Sequence, residues 1–93
     1  MSPVTDHSFQ AVQFELAADA DPGLLPRLLA PFARRDLVLD RVKIGRNGAL
    51  IEAVLAIDEM PSEMVHVVEG NLRQLVGVRR LTVMLGRATR QAA

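Results

Sequence analysis

The tetrapeptide Gly45-Arg46-Asn47-Gly48 constrains the fold more than any other feature, because it joins two alternating runs with room only for a tight turn. Asn-Gly tolerates positive φ, so the two runs read as an antiparallel hairpin. The run before it, Leu37 to Ile44, places Val38, Val42 and Ile44 on one parity and Leu39, Arg41 and Lys43 on the other. Asp40 interrupts the apolar parity, which points to an edge strand or a bulge, and Arg41 and Lys43 would guard such an edge against uncontrolled pairing. The run after it, Ala49 to Ile57, is apolar on both parities and reads as a central strand.

The hairpin gives meaning to its flanks. Upstream, Phe9 to Ala17 alternates Val12, Phe14 and Leu16 against Gln13 and Glu15, the pattern of a half-buried strand. Leu25, Leu28, Leu29 and Phe32 then recur at helical spacing, with Asp21 as the cap and Pro22 in the first turn. Pro31 removes a backbone hydrogen bond and is expected to kink or shorten this helix. Downstream, Asp58 to Pro61 reads as a turn and Ser62 to Leu75 as a second helix, with Met64, Val68, Leu72 and Leu75 along one stripe and Val65 beside it. Gly77 stops that helix, and Arg79 to Leu85 alternates Leu81, Val83 and Leu85 against Arg80, Thr82 and Met84.

The order is βαββαβ. With right-handed crossovers it folds into an α+β, ferredoxin-like sandwich: a four-stranded antiparallel sheet with two helices on one face, the first and third strands central and the second and fourth at the edges. The ordered domain is expected over 9–85, with 1–8 and 86–93 as flexible termini. The helix-free face would carry Gln13, Glu15 and Glu52 together with Val54, Ala56 and Met84, a mixture suited to solvent or to a neighbour.

Composition narrows the function. A chain of 93 residues buries only about 60–65% of its unfolded surface, so its stability is expected to lean on a partner. Hydrophobic residues make up 49%, yet there are only three Phe and no Trp or Tyr, so stacking platforms for single-stranded nucleic acid are missing. Eleven basic and eleven acidic residues leave no global field to draw nucleic acid or an anionic membrane. The absence of Cys excludes disulfides and thiolate zinc sites, and two His make a poor metal centre, so no cofactor is implied. No signal peptide and no membrane-length apolar run is present, which makes a cytoplasmic protein the expectation.

Individual residues offer little catalysis. Asp19 and Asp21 are two carboxylates near a strand-to-helix loop, but with no His or third carboxylate beside them they read as cap and turn residues. His66 reads as a surface residue of the second helix and His7 lies in the N-terminal tail; neither has a triad partner. Arg34-Arg35 and Arg79-Arg80 read as helix-end and strand residues rather than a phosphate patch. The remaining candidate is Asp21-Pro22-Gly23-Leu24, where the N–H groups of Gly23 and Leu24 at a helix start are free to receive a carboxylate, a partner chain or solvent.

Read together, Asp21-Pro22-Gly23-Leu24-Leu25-Pro26-Arg27-Leu28-Leu29, Phe32-Ala33-Arg34-Arg35 and Asn71-Leu72-Arg73-Gln74-Leu75-Val76-Gly77-Val78 resemble the ACT domain family, small βαββαβ modules that regulate amino-acid metabolism. The last two segments look like the short, single-domain regulatory small subunit of acetolactate synthase. The resemblance covers most of 9–85. It implies a non-catalytic regulatory or stabilising subunit, a homodimer or higher oligomer, a catalytic subunit as partner, and a branched-chain amino acid as effector at the dimer interface. A stand-alone amino-acid-binding sensor is the alternative, whereas an acylphosphatase-like enzyme lacks its anion-cradling Arg and Asn. By position the resemblance implies an effector or interface site at Ala20, Asp21, Pro22, Gly23, Leu24, Val38 and Leu39. Ala20 and Val38 stand where valine-sensitive members carry Asn, and Asp36 stands where a helix-ending glycine is usual. The two missing amides remove polar partners typically worth about 1.5–3 kcal/mol each when charge-assisted.

Overall fold

A computed structural model describes residues 8–86. The elements are β1 (Phe9–Asp19), α1 (Leu24–Ala33), β2 (Arg41–Asn47), β3 (Leu50–Pro61), α2 (Ser62–Arg73) and β4 (Val78–Leu85). They form a four-stranded sheet in the order β2-β3-β1-β4 with every neighbouring pair antiparallel, so β1 and β3 are central, as the periodicities required. Except for Ser8 and Gly86, the tails expected to be flexible, His7 included, lie outside the described residues. No helix among the described residues is long and apolar enough to cross a membrane.

Alternation decides which face is buried. Val12, Phe14, Leu16 and Ala18 of β1 point to the helices together with Ala53, Leu55 and Ile57 of β3, and meet Leu24, Leu28 and Phe32 of α1 and Val65, Val68 and Leu72 of α2. Phe14 and Phe32 join the layers edge to face, with ring centroids 5.6 Å apart. The buried stripe of α1 is Leu24, Leu28, Pro31 and Phe32, while Leu25 is 44% exposed. The stripe therefore runs one residue earlier than Leu25 and Leu29 suggested. Pro31 falls in the last turn, where the helix is already ending.

Two β-bulges correct the phase of the sheet. Gln10 pairs with Met60 and Val12 with Ile57, so Ala11 alone opposes Asp58 and Glu59. The segment expected to be a turn is thus a bulge inside a longer β3. It re-phases the strand so that Met60 is fully buried instead of Glu59. On the other side of β1, Ala17 pairs with Arg80 and Ala18 with Val78, leaving Arg79 as the extra residue. The bulge takes Arg79 out of the helix-facing row and puts Val78 there.

The hairpin is tighter than expected. Asn47 pairs with Leu50, and Gly48, at φ 65, takes the first of two turn positions, the arrangement of a type II′ turn. Asn47 is the last strand residue and does not take up the positive φ. The start of β2 also differs from expectation, because residues 37–40 are not strand. After α1 the N–H of Leu37 donates to Phe32 O (2.9 Å) and that of Asp36 to Ala33 O (3.1 Å), a Schellman-type ending with Asp36 at φ 56 where glycine is favoured. Leu37 and Leu39 turn inward against the core, and the strand begins only after the Asp40 N–H reaches Ala56 O (2.8 Å) and its carboxylate accepts from the Asp58 N–H (2.7 Å).

Candidate functional site

The first strand-to-helix loop sits at the end of the sheet where β1 stops, the β2–β3 hairpin turns and β4 starts. Asp19 ends β1 with its N–H on Gly77 O (2.9 Å), and the N–H of Ala20 donates to Ala49 O (2.9 Å). The loop is therefore anchored to the hairpin on one side and to the α2–β4 connection on the other. Gly77 is at φ 95, the left-handed region that favours glycine, while a Cβ there would make only an ordinary 3.6 Å contact with Asp19 Cβ.

Both carboxylates of the loop are engaged. Asp19 accepts a fork from the bulged Arg79, Nε to Oδ1 at 2.9 Å and Nη2 to Oδ2 at 2.9 Å. The hydrogen bond to Asp19, and then its charge, raise the Arg79 pKa above the ordinary arginine value, against a small opposing desolvation. Asp21 Oδ2 accepts from Gly23 N–H (3.2 Å) and from Arg27 Nη2 (2.9 Å). Among the described residues no cluster of His, Asp and Glu has the makings of a metal site.

This geometry changes the meaning of the loop's amides. Gly23 N–H is bonded to the Asp21 side chain and Leu24 N–H to Asp21 O (3.0 Å), so neither donor is free. Pro26 contributes no N–H to the same turn. Asp21 does not cap α1, whose N-cap is Gly23 without a side-chain hydrogen bond; it folds back over Gly23 and pairs with Arg27. A carboxylate arriving here would have to displace the chain's own.

The seven residues assigned to the site divide into separate groups. Asp21 and Pro22 are exposed, and Ala20 and Gly23 are half-buried at the loop. Leu24 is 1% exposed and belongs to the core. Val38, at 79% exposure, and the half-buried Leu39 sit at the other end of the sheet, beside the start of β2. Along β3 that separation is Ala49 to Ala56, roughly 23 Å at about 3.3 Å per residue. One chain alone does not bring the two groups together. The basic pairs likewise stay apart, with Arg34 and Arg35 at the far end of α1 and Arg79 at the start of β4. His66 is exposed, its Nδ1 3.7 Å from Glu69 Oε1.

Periodicity did not reveal the lid formed by Asp21 and Arg27. Their separation of six residues matches no helical or strand repeat, and the pair exists only because the loop bends back at Pro22.

A sheet of this order with both helices on one face defines the ferredoxin-like α+β modules. Within them, the ACT-like domain family profile matches residues 5–91, and the chain belongs to that family, a class of regulatory amino-acid-binding modules. The crystal structure of the ACT domain from GTP pyrophosphokinase of Chlorobium tepidum is similar, with a TM-score of 0.71 at 10% identity over 83% of this chain and 100% of that one. The solution NMR structure of the same domain has a TM-score of 0.66 at 11% identity, over 80% of this chain and 84% of that one. At such identities the likeness concerns the fold. No functionally curated protein matches the chain.

Proposed function

We propose that this chain is a non-catalytic regulatory or stabilising subunit that dimerises through β2 and favours one conformation of a biosynthetic enzyme. The observation that supports this best is the β2 edge. All seven of its residues are exposed, and Val42 (49%) and Ile44 (37%) lie on the helix-layer side without a helix over them. An unpaired edge with an apolar flank suits one specific neighbour. Antiparallel pairing of β2 with a second copy would reverse the strand, bringing the second copy's Val38 and Leu39 alongside the first copy's Asp21 to Gly23. The two halves of the site, separate in one chain, would then meet across the two-fold.

The loop suits protein contact better than valine binding. Ala20 and Val38 supply no side-chain amide, and the carboxylate seat formed by Gly23 N–H and Arg27 is held by Asp21. The motifs of the α1 ending and the β4 lead-in favour the catalytic subunit of acetolactate synthase as partner. A module of similar fold comes from an enzyme, the GTP pyrophosphokinase of Chlorobium tepidum. Regulation would follow from differential affinity for two states of the partner. The test is co-purification with the organism's acetolactate synthase catalytic subunit and measurement of its activity. Activation saturating with added chain is expected, and unchanged activity at saturation refutes that partnership.

A further inference from the structure

Gly45 lies within β2 without a positive φ, and a Cβ built on it meets nothing within 4 Å, so nothing inside one chain requires a glycine there. Glycine within a strand often marks the close approach of another molecule. On the helix-free face, Gly45 borders a hollow of about 510 Å³ whose lining includes Glu52, Val54 and Arg80.

The register sets this face out as a grid. One row across the sheet is Arg41, Ala56, Gln13 and Met84, the next is Lys43, Val54, Glu15 and Thr82, and the third is Gly45, Glu52, Ala17 and Arg80. Arg41 is spent on Asp58 at 3.1 Å. Among the described residues Lys43, Glu15, Glu52 and Arg80 enter no ion pair. Glu15 Oε2 accepts from Gln13 (2.6 Å) and Glu52 Oε2 from Asn47 (3.5 Å), but both donors are neutral amides, so they orient the carboxylates and leave their charge uncompensated. A partner of one sign would leave half of this face unpaired. A second copy of the same face carries both signs.

Symmetry decides whether the signs meet. Two sheets stacked face to face about a two-fold axis along the strands keep each row level and reverse its order. Gly45 then stands opposite the second copy's Arg80, Ala17 opposite its Glu52, Ala56 opposite its Gln13, Val54 opposite its Glu15 and Thr82 opposite its Lys43. At each of these positions a short side chain meets a long one; only Arg41 and Met84 are both long. Lys43 comes within one strand spacing, about 4.8 Å sideways, of the second copy's Glu15, and Arg80 within the same spacing of its Glu52, across a gap of about 10 Å that two long side chains span. A two-fold across the strands through the middle row would instead set Lys43 on Lys43 and Glu15 on Glu15.

We propose that the helix-free face is a self-complementary docking surface on which a second copy of the chain stacks about a two-fold along the strands, with Lys43–Glu15 and Arg80–Glu52 as the pairs between copies. Gly45 is the notch that admits Arg80. The patch measures about 19 by 20 Å, or about 400 Å² from each copy, which is the size of a weak contact with a dissociation constant of about 0.1–1 mM. It is independent of β2 pairing, whose two-fold stands perpendicular to the sheet at its edge. The two axes do not intersect, so both contacts together run on as an open ribbon instead of closing.

The experiment therefore uses the full chain carrying Ile44→Lys, which takes away the β2 contact, followed by amide NMR and sedimentation equilibrium from about 20 μM to about 2 mM. Expected is a monomer at the low end, and, as concentration rises, a dimer with amide shifts at Lys43–Gly45, Glu52–Val54 and Arg80–Thr82. Lys43→Glu or Glu15→Lys, added singly, sets like charges against each other in both symmetric pairs and should weaken association about 10-fold or more. A 1:1 mixture of the two variants should recover it, because each reversed charge meets its opposite on the other chain. The proposal is overturned if these amides do not shift with concentration, if the shifts are confined to the helices or the Ala20–Leu24 loop, or if the mixture associates no more tightly than either variant alone.

Discussion

Gly23→Val separates a contact role for the first loop from a structural one. Gly23 adopts φ −86 and ψ 0, which is open to residues other than glycine, so no backbone strain opposes the change. A new Cβ meets Arg27 Nη1 at 2.8 Å and Asp21 Oδ2 at 3.3 Å. Both atoms are ends of side chains that are 43% and 47% exposed, so they can swing into solvent. Losing the surface ion pair costs about 0.2–1 kcal/mol, and valine in place of glycine at an N-cap costs about 1 kcal/mol. The monomer should therefore lose roughly 1–2 kcal/mol, or about 5–15 °C in melting temperature for a domain of this size. At a contact surface, valine and the displaced Arg27 obstruct the partner, and association should weaken about 10-fold or more. Thermal melts, sedimentation of the free chain and enzyme activation provide the readouts. Arg27→Ala serves as control, since it removes the ion pair without adding bulk at Gly23. Loss of more than about 4 kcal/mol would show that the glycine is structural, and unimpaired dimerisation and activation would remove the loop from the interface.

Three further outcomes follow from the packing. Asp36→Gly relieves a left-handed residue at the end of α1; the steric gain of about 1–2 kcal/mol, offset by glycine's greater chain entropy, leaves a net stabilisation of about 0.5–1 kcal/mol in denaturant titrations. Met60→Ala, at a fully buried position, should cost about 2–5 kcal/mol, whereas Glu59→Ala beside it should cost under about 0.5 kcal/mol. Ile44→Lys should leave monomer stability within about 0.5 kcal/mol while making the chain monomeric in sedimentation, and an unchanged oligomer would refute pairing through β2.

What could be read in advance was the part governed by period. Alternation around Phe14 and Leu55, helical spacing through Val68 and Leu72, and a glycine-bearing hairpin sufficed for element order, strand placement and the composition of the open face. The failures lie where one residue breaks the period. Asp58 and Glu59 look like a turn because they are polar and precede a proline, yet the pairing of Ile57 with Val12 and of Met60 with Gln10 on either side holds them in the sheet as a bulge opposite Ala11. Val38 was read into β2 because its parity matches Val42, but the Schellman-type ending at Asp36 and the inward turn of Leu37 and Leu39 delay the strand. Val38 and Leu39 lie far from the loop for a topological reason, since α1 carries the chain to the other end of the sheet before β2 begins. At the loop, sequence located the first-turn amides correctly and could not show that Asp21 would reach back to one of them, because that depends on the path the chain takes through Pro22.

The bulges also bear on how this chain can change length. Within a regular strand, adding or removing one residue turns every later side chain to the opposite face. At the extra positions the rule is suspended. Removing Arg79, or either Asp58 or Glu59, would restore uninterrupted pairing with β1 and leave Leu81, Val83 and Met60 facing inward as before. Single-residue gaps between relatives of this chain should therefore collect at those points in β3 and β4, and β1, the strand against which both neighbours adjust their phase, should keep its length.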